Sequence, residues 1–235
     1  MDGNEKEAFL RSYRRVLGII YDEIDAEVYD HCNFFKYDVT CRKGCSACCH
    51  QFISVTVSHA ALVADFLYAN KKAMANFRSS YEAWLKSFEN SPEAAAVLRE
   101  LETNTTQAAA MRHDKQELLA AYHKLDIPCP FLDSGECSIR AVRPVSCAAY
   151  FAVSPVERCL PDSPLPPLVL DVTPPEQYLK TMAGAGLRKI YSHQEPLPKL
   201  VHKILTAGLP QVVKDVELLF EMEQGKSEPG SAPKG

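Results

Sequence analysis

The chain has 235 residues, of which 46% are hydrophobic and 24% charged, with a net charge of −4. This profile is typical of a globular protein and argues against a wholly disordered chain, a collagen or a coiled-coil rod. The mild acidity does not favour nucleic acid or an anionic membrane as partner, and no apolar run reaches the ~20 residues of a membrane span. The N-terminus lacks the pattern of a secretory signal, so we expect a cytoplasmic protein.

Apolar residues recur at helical spacing through the first half of the chain. The first predicted helix spans residues 5–30, and the second begins near His59 with Ser58 as its N-cap. A third runs from Ser91-Pro92-Glu93 to about Thr103, and a fourth spans Thr106 to Leu125. The β-branched run FISVTV, between the first two helices, predicts a short strand or extended segment.

Beyond residue 125 prolines become frequent and helix formers sparse. The segment from Cys129 to Cys137 predicts a β-hairpin that turns at Asp133-Ser134-Gly135. A helical turn over Arg140–Arg143 is expected to stop at Pro144. Further helices are predicted from Pro174-Pro175-Glu176 to about Gly184, from Pro198 to Thr206 with Gly208 closing it, and over 210–224, followed by a disordered tail at 226–235.

Nine cysteines are the unusual feature of the composition. Disulfides require an oxidising compartment, and the count is odd with no visible export signal. Cysteines that merely fill a core would be scattered, whereas eight of these fall into two clusters. Clustered thiolates are typical of zinc and iron–sulfur sites, so we favour metal ligation. The clusters are Cys41, Cys45, Cys48 and Cys49, and Cys129, Cys137, Cys147 and Cys159; Cys32 stands apart.

The spacing of the first cluster suits a metal site in two ways. Cys45 and Cys48 have the C-x₂-C spacing of a metal knuckle, and Gly44 relieves strain in such a turn. In a helix, alternatively, Cys41, Cys45 and Cys48 would share one face. The adjacent Cys49 points to two centres or to one polynuclear centre, and two clusters of four match two S₄ sites.

Other residues near the cysteines have open roles. Arg42, Lys43, Arg140 and Arg158 are either solvated surface residues or cations that offset thiolate charge, whereas Arg143, between Val142 and Pro144, is expected to have a structural or supporting role beside the cysteines. His31 and His50 adjoin cysteines and are the histidines best placed to complete a mixed site.

The pattern also resembles a known family. Cys41 and Gly44-Cys45-x-x-Cys48-Cys49 are followed by Cys129-Pro-Phe-Leu, Cys137-Ser-Ile and Val142-Arg143-Pro144-x-x-Cys147-x-x-Tyr150, over residues of about 37–160. This arrangement is similar to the CxxCxxCC family of zinc- or iron-chelating proteins, also called YkgJ-type cysteine-cluster proteins. The resemblance implies bound zinc or iron, including an iron–sulfur cluster as one form, but no particular reaction. The implied ligands are Cys41, Cys45, Cys48, Cys49, Cys129, Cys137, Cys147 and Cys159.

We therefore expect a mainly α fold with a small, irregular cysteine-rich layer of loops and a β-hairpin. It would form one metal-stabilised domain over residues 1–225, with a cysteine-cluster core at about 32–160 and a helical insertion at about 58–125. Metal ligation would replace hydrophobic packing in that core.

Three functions stay open. The first is a structural or regulatory metal-binding module that serves an unidentified protein partner. The second is an iron–sulfur-dependent enzyme, an oxidoreductase or one like a protein methyltransferase, as the similarity of related domains to flagellin lysine methylases suggests. The third is metal storage or delivery. The sequence contains no Ser nucleophile elbow, HExxH motif or Walker loop, which favours the module.

Overall fold

The computed structural model describes residues 3–42, 44–106, 112–170, 172, 182 and 193–225. This part of the chain is mainly helical, as predicted. The helices are α1 (Gly3–Phe35), α2 (Val57–Ala69), α3 (Lys71–Glu89), α4 (Pro92–Thr106), α5 (Arg112–Lys124), α6 (Val145–Ala148), α7 (Leu197–Ala207) and α8 (Leu209–Gly225). Short 3₁₀ turns span Ala47–His50, Arg140–Val142 and Val156–Cys159.

Helix α2 lies at the centre of the main hydrophobic core. Its residues are buried on all faces, including Leu62, Val63 and Leu67. A helix that is apolar all round needs neighbours on every side, and α2 packs against α1, α3, α7 and α8. The core is therefore built mainly from helix-on-helix contacts rather than from the cysteine-rich segments.

Helix boundaries follow local capping chemistry. The Ser91 hydroxyl accepts a hydrogen bond from the Ala94 N–H (3.2 Å), which confirms the predicted start of α4. The predicted N-cap of α2 was wrong: Thr56, not Ser58, accepts from the His59 N–H, and the helix begins at Val57. Asn70 separates α2 from α3 and accepts from the Ala73 N–H (3.1 Å).

Over the described residues, four short strands form two antiparallel pairs. Strand β1 (Ser54–Thr56) pairs with β4 (Gln194–Pro196), with Val55 opposite Glu195. Strand β1 was predicted as an extended segment, whereas β4 was not predicted. The pairing aligns the residues that enter α2 with those that enter α7, so the two helices start side by side.

The predicted hairpin is confirmed. Strands β2 (Leu132–Asp133) and β3 (Glu136–Cys137) are joined by Ser134 and Gly135, whose φ angles are 52° and 84°. Two successive positive φ values are the signature of a two-residue type I′ turn, and Gly adopts this conformation without a steric penalty. The turn fixes the register in which Leu132 lies opposite Cys137.

The hairpin is anchored to α3. Phe131, which precedes β2, is fully buried and stacks on Phe77 with ring centroids 4.6 Å apart. The Asn76 amide donates to the Leu132 carbonyl over 3.4 Å. The helical insertion therefore holds the second cysteine cluster in place.

A second, smaller apolar cluster attaches the chain after the hairpin to α1. Ile20 and Ile24 of α1 pack with Ala148, Leu170 and Val172. The Tyr21 hydroxyl also donates a hydrogen bond to the Arg143 carbonyl. The cysteine-rich layer thus lies between α1 and the later helices.

Other predicted elements are confirmed or lie outside the described residues. Helices α7 and α8 match the predicted helices at Pro198–Thr206 and 210–224. The predicted helix at Pro174-Pro175-Glu176, the tail at 226–235 and the chain at 107–111 lie outside. No described helix combines the length and apolar character needed to cross a membrane.

Candidate metal centre

The first cysteine cluster is a chain of tight turns. The Cys45 N–H donates to the Arg42 carbonyl (2.9 Å), and Gly44 within that turn has a φ of 86°. Cys48 and Cys49 follow on the 3₁₀ turn Ala47–His50. The backbone therefore adopts the knuckle-like turn rather than the α-helical alternative, because a left-handed Gly44 interrupts any helix through Cys41 and Cys48.

The second cluster uses three different local structures. Cys129 comes just before the hairpin, and Cys137 ends its second strand. Cys147 lies on the single-turn helix α6, where its N–H donates to the Pro144 carbonyl (2.9 Å). Cys159 ends the last 3₁₀ turn and is buried. Each cysteine is thus held next to a backbone turn, where its position depends little on its own side-chain packing.

Hydrogen bonds join the two clusters side by side. The Cys129 N–H donates to the Cys49 carbonyl (2.7 Å). The Thr40 N–H donates to the Ala152 carbonyl (2.9 Å), and the Ala152 N–H donates to the Cys41 sulfur (3.3 Å). These bonds bring residues 40–49 against residues 129–159.

Six of the eight cysteines line one cavity of about 120 Å³, which we call the cysteine cavity. It is lined by Cys45, Cys48, Cys49, Cys129, Cys137 and Cys147, and by Arg42, Gly44, Gln51, Ile53, Phe131, Gly135, Glu136, Ile139, Arg140, Arg143, Pro144 and Leu197. Cys41 and Cys159 are close enough to Cys45 and Cys48 for charges on those two sulfurs to raise the pKa of both. The fold therefore brings all eight predicted ligand residues into one region.

The side chains are not in a ready-made coordination arrangement. Over the described residues, no three or more His, Cys, Asp or Glu side chains form a group that could hold a metal ion as they stand. All nine cysteines are free thiols. The donor chemistry still fits zinc or iron, since both are held by four thiolates in many proteins.

Burial keeps most of these thiols protonated. It raises the pKa of Cys129 to about 12 and also raises the pKa of Cys137 and Cys147. Cys48 is the exception, because a hydrogen bond from the Cys49 thiol lowers its pKa to about 7 and raises that of Cys49. Cys48 is therefore the thiol of this region that ionises most readily among those with a shifted pKa.

Charge interactions divide the cysteines into two groups around Cys48. A charge on Cys48 raises the pKa of six others, Cys41, Cys49, Cys129, Cys137, Cys147 and Cys159. The other charge interactions fall into two sets. A charge on Cys45 raises the pKa of Cys41 and Cys159, whereas charges on Cys129 and Cys137 raise the pKa of Cys49 and Cys147. Cys48 acts on both sets. Assigning it to the first, we call Cys41, Cys45, Cys48 and Cys159 the inner group, and Cys49, Cys129, Cys137 and Cys147 the hairpin group. This division cuts across the two clusters of the sequence.

Arg143 is a cation whose charge acts on both groups. This charge favours the thiolate form of Cys41 and Cys48 in the inner group, and of Cys137 and Cys147 in the hairpin group. A structural or supporting role beside the cysteines was the favoured interpretation of this arginine. Its half-buried position among the sulfurs supports that role.

The remaining candidates lie elsewhere. His31 Nδ1 is 3.0 Å from the Glu27 carbonyl within α1. His50 Nδ1 is 2.8 Å from the Asp126 carboxylate. Cys32 packs against the smaller apolar cluster of α1, and Arg158 is an exposed residue of the last 3₁₀ turn. Lys43 lies outside the described residues.

His59 is a residue of the site region that sequence analysis treated as an ordinary helix residue. It is buried on α2, and its Nε2 lies 3.0 Å from the Val142 carbonyl, just before Arg143. Because a carbonyl only accepts, the ring donates from Nε2. Burial lowers the pKa of His59, which favours the neutral ring with its proton on that nitrogen. Its position in an almost wholly apolar helix was the signal that could have identified it.

In comparisons with known proteins, the chain matches no family model, no curated protein and no solved structure.

Proposed function

We propose that this protein binds zinc or an iron–sulfur cluster through Cys41, Cys45, Cys48, Cys49, Cys129, Cys137, Cys147 and Cys159, as a protein of the CxxCxxCC, or YkgJ, type. The observation that carries the proposal is that six of these thiols, drawn from two distant parts of the chain, line one cavity. Thiols that merely filled a core would have no reason to converge on unfilled space.

The number of thiols supports two centres. The inner group and the hairpin group each contain four thiols, the ligand number of a tetrahedral zinc site or of a cubane cluster. Each group draws ligands from both cysteine clusters. The adjacent Cys48 and Cys49 would serve different centres, and the hydrogen bond between their thiols would give way to ligation.

Ligation would require the thiols to turn inward and lose their protons. Rotation about a single side-chain bond moves a cysteine sulfur without moving the backbone, so the backbone frame can remain as it is. Arg143, which already lowers the pKa of thiols in both groups, would offset the negative charge that the thiolates retain.

Such a site would stabilise a part of the fold that lacks its own large core. The chain between Thr40 and Cys49 contains turns but little apolar surface, and the hairpin strands have two residues each. Structural zinc contributes about 10–16 kcal/mol of apparent binding energy, comparable with the stability of a whole domain. We therefore infer a metal-stabilised structural or regulatory module. A reducing compartment such as the cytosol would keep its thiols available.

Anaerobic purification followed by elemental analysis and a visible spectrum tests this proposal. Colourless protein with about two zinc ions per chain would support two closed zinc sites. Brown protein with iron and acid-labile sulfide would support iron–sulfur clusters. Protein that contains neither metal, and that takes up neither from solution under reducing conditions, would contradict the proposal.

A further inference from the structure

Three arginines line the cysteine cavity together with the six thiols: Arg42, Arg140 and Arg143. Across the described part of the chain, none of their guanidinium groups forms an ion pair or hydrogen bond with another residue. A guanidinium has five N–H donors in a fixed fork that matches a carboxylate or phosphate group. Three such groups around one cavity therefore provide many donors without a partner.

The three arginines have different relationships to the thiols. Arg143 is half-buried and its charge acts on thiols of both groups. Arg42 and Arg140 are exposed, and Arg140 influences Cys137. The charge of a thiolate-rich centre accounts for Arg143. Arg42 and Arg140 combine a place in the cavity lining with exposure to solvent.

Part of the cavity lining is apolar. It includes Ile53, Phe131, Ile139 and Leu197. A cavity of about 120 Å³ exceeds by several-fold the roughly 10–15 Å³ that one water molecule needs. Metal ions need thiols, not an aliphatic wall, whereas small-molecule sites combine apolar walls with a few polar groups that fix orientation.

We infer that the cysteine cavity binds a small organic anion, whose carboxylate or phosphate group pairs with Arg42 and Arg140 and whose carbon skeleton packs on Ile53 and Leu197. The inference deepens the proposed function, because the bound molecule would lie beside the thiols proposed to hold metal. It favours an enzyme or a regulatory module over a purely structural one.

Titration calorimetry with the full-length protein, as purified, tests the inference. The probes are butyrate, butyl phosphate and inorganic phosphate, which separate carboxylate from phosphate recognition and show whether the carbon skeleton contributes. We expect butyrate or butyl phosphate to bind more tightly than inorganic phosphate. Arg42→Gln and Arg140→Gln should each weaken that binding about tenfold or more, since each removes a charge-assisted hydrogen bond.

Arg158→Gln is the matched control, because it removes an exposed arginine near Cys159 that does not line the cavity. It should leave the affinity unchanged. Absence of binding by all three probes, or equal loss in Arg158→Gln, would overturn the inference. So would Arg42→Gln and Arg140→Gln proteins that lose metal but bind the probes as before, since the arginines would then only balance the charge of the centre.

Metal content, measured on the same samples, separates the two proposals. A protein without metal that binds butyrate or butyl phosphate through Arg42 and Arg140 would contradict the proposed function and support the inference. A protein that holds metal but binds no probe would support the proposed function and overturn the inference.

Discussion

The backbone N–H of Cys129 donates a hydrogen bond of 2.7 Å to the carbonyl of Cys49. This bond joins the end of the first cysteine cluster to the start of the second, across the whole helical insertion. It places two members of the hairpin group next to each other independently of any metal. The two clusters are thus held in register by the backbone, and their thiols need only local movement to meet an ion.

The division into two groups predicts a specific pattern of metal loss. Cys159→Ser should remove the inner centre, and Cys147→Ser the hairpin centre, so each should lower bound metal by about half, because four-coordinate sites rarely survive loss of a thiolate. The double variant Cys159→Ser/Cys147→Ser should lose nearly all metal. Elemental analysis of anaerobically purified protein measures this.

Pairs within one group provide the sharper comparison. Cys41→Ser/Cys159→Ser removes two ligands of the same group, so it should lose no more metal than Cys159→Ser alone. Cys32→Ser, on α1 away from the cavity, should keep the full content. If the centres instead followed the two clusters of the sequence, Cys159→Ser and Cys147→Ser would remove the same centre. The double variant would then lose no more metal than either single variant.

Metal removal should unfold the cysteine layer before the helical core. Helices α2, α3 and α7 share a continuous apolar core that includes Leu62, Phe77 and Leu200, so they should stay folded after chelation. The turns around residues 40–52 and 144–168 should become open to protease, because the proposed metal would supply their folding energy. Limited proteolysis with mass spectrometry, before and after dialysis against a chelator, locates the cuts.

Far-UV circular dichroism provides the complementary measurement. The helices that contain most of the signal should persist, so a modest loss is expected while the two cysteine segments are cut rapidly. Unchanged protease resistance after metal removal, checked by elemental analysis, would show that the layer is stable on its own and would contradict metal stabilisation.

Much of the fold was predictable from local patterns. The 3.6-residue periodicity located most helices, and Ser134-Gly135 between Asp133 and Cys137 identified the hairpin, because both signals depend on neighbouring residues alone. The pairing of β1 with β4 was not predictable, since Gln194–Pro196 has no strand pattern and forms only because α2 and α7 pack together. Pattern reasoning likewise missed Thr56 as the cap of α2, where two hydroxyl residues, Thr56 and Ser58, compete two positions apart.

The site was predictable in its members but not in its arrangement. The clustering of cysteines identified eight candidate residues, and the fold brings them into one region. Which thiols face each other depends on the 2.7 Å bond between Cys129 and Cys49 and on the hairpin turn, neither of which a spacing rule can reveal. The sequence identified the arginines at the cavity as neighbours of the cysteines. It could not predict that their guanidinium groups lack partners in the described part of the chain.

Phe131 should be a major stabilising residue of the cysteine layer. It is 1% exposed and stacks on Phe77, so Phe131→Ala should lower the free energy of unfolding by about 3–5 kcal/mol through lost burial and a residual cavity. Phe34→Ala is a matched control, because Phe34 is 79% exposed near the end of α1 and its loss should change stability by less than about 0.5 kcal/mol. Urea denaturation of both variants measures the difference.

The same pair of variants tests whether α3 supports the thiols. Since Phe131 lies between Cys129 and the hairpin, Phe131→Ala should also weaken metal retention against a competing chelator, while Phe34→Ala should not. Equal metal retention by Phe131→Ala and the unchanged protein would mean that the backbone bonds position the hairpin without this anchor.

His59 should make the protein sensitive to mild acid. Burial lowers its pKa from 6.5 to about 4, so the folded state stays neutral where the unfolded state becomes protonated. Stability should therefore be full above pH 6.5 and fall as the pH drops from 6.5 towards 4, by about 2 kcal/mol at pH 5. Urea denaturation at pH 7.5, 6.0 and 5.0, on metal-free protein, measures this slope.

His59→Gln isolates the contribution of the imidazole. The glutamine amide can donate to the Val142 carbonyl as Nε2 does, but it does not titrate in this range. The variant should therefore lose less stability than the unchanged protein between pH 7.5 and 5.0. His202→Gln, which alters a less buried histidine on α7, should retain most of the original slope. If His59→Gln has the same pH dependence as the unchanged protein, the bond between α2 and Val142 does not carry the acid sensitivity.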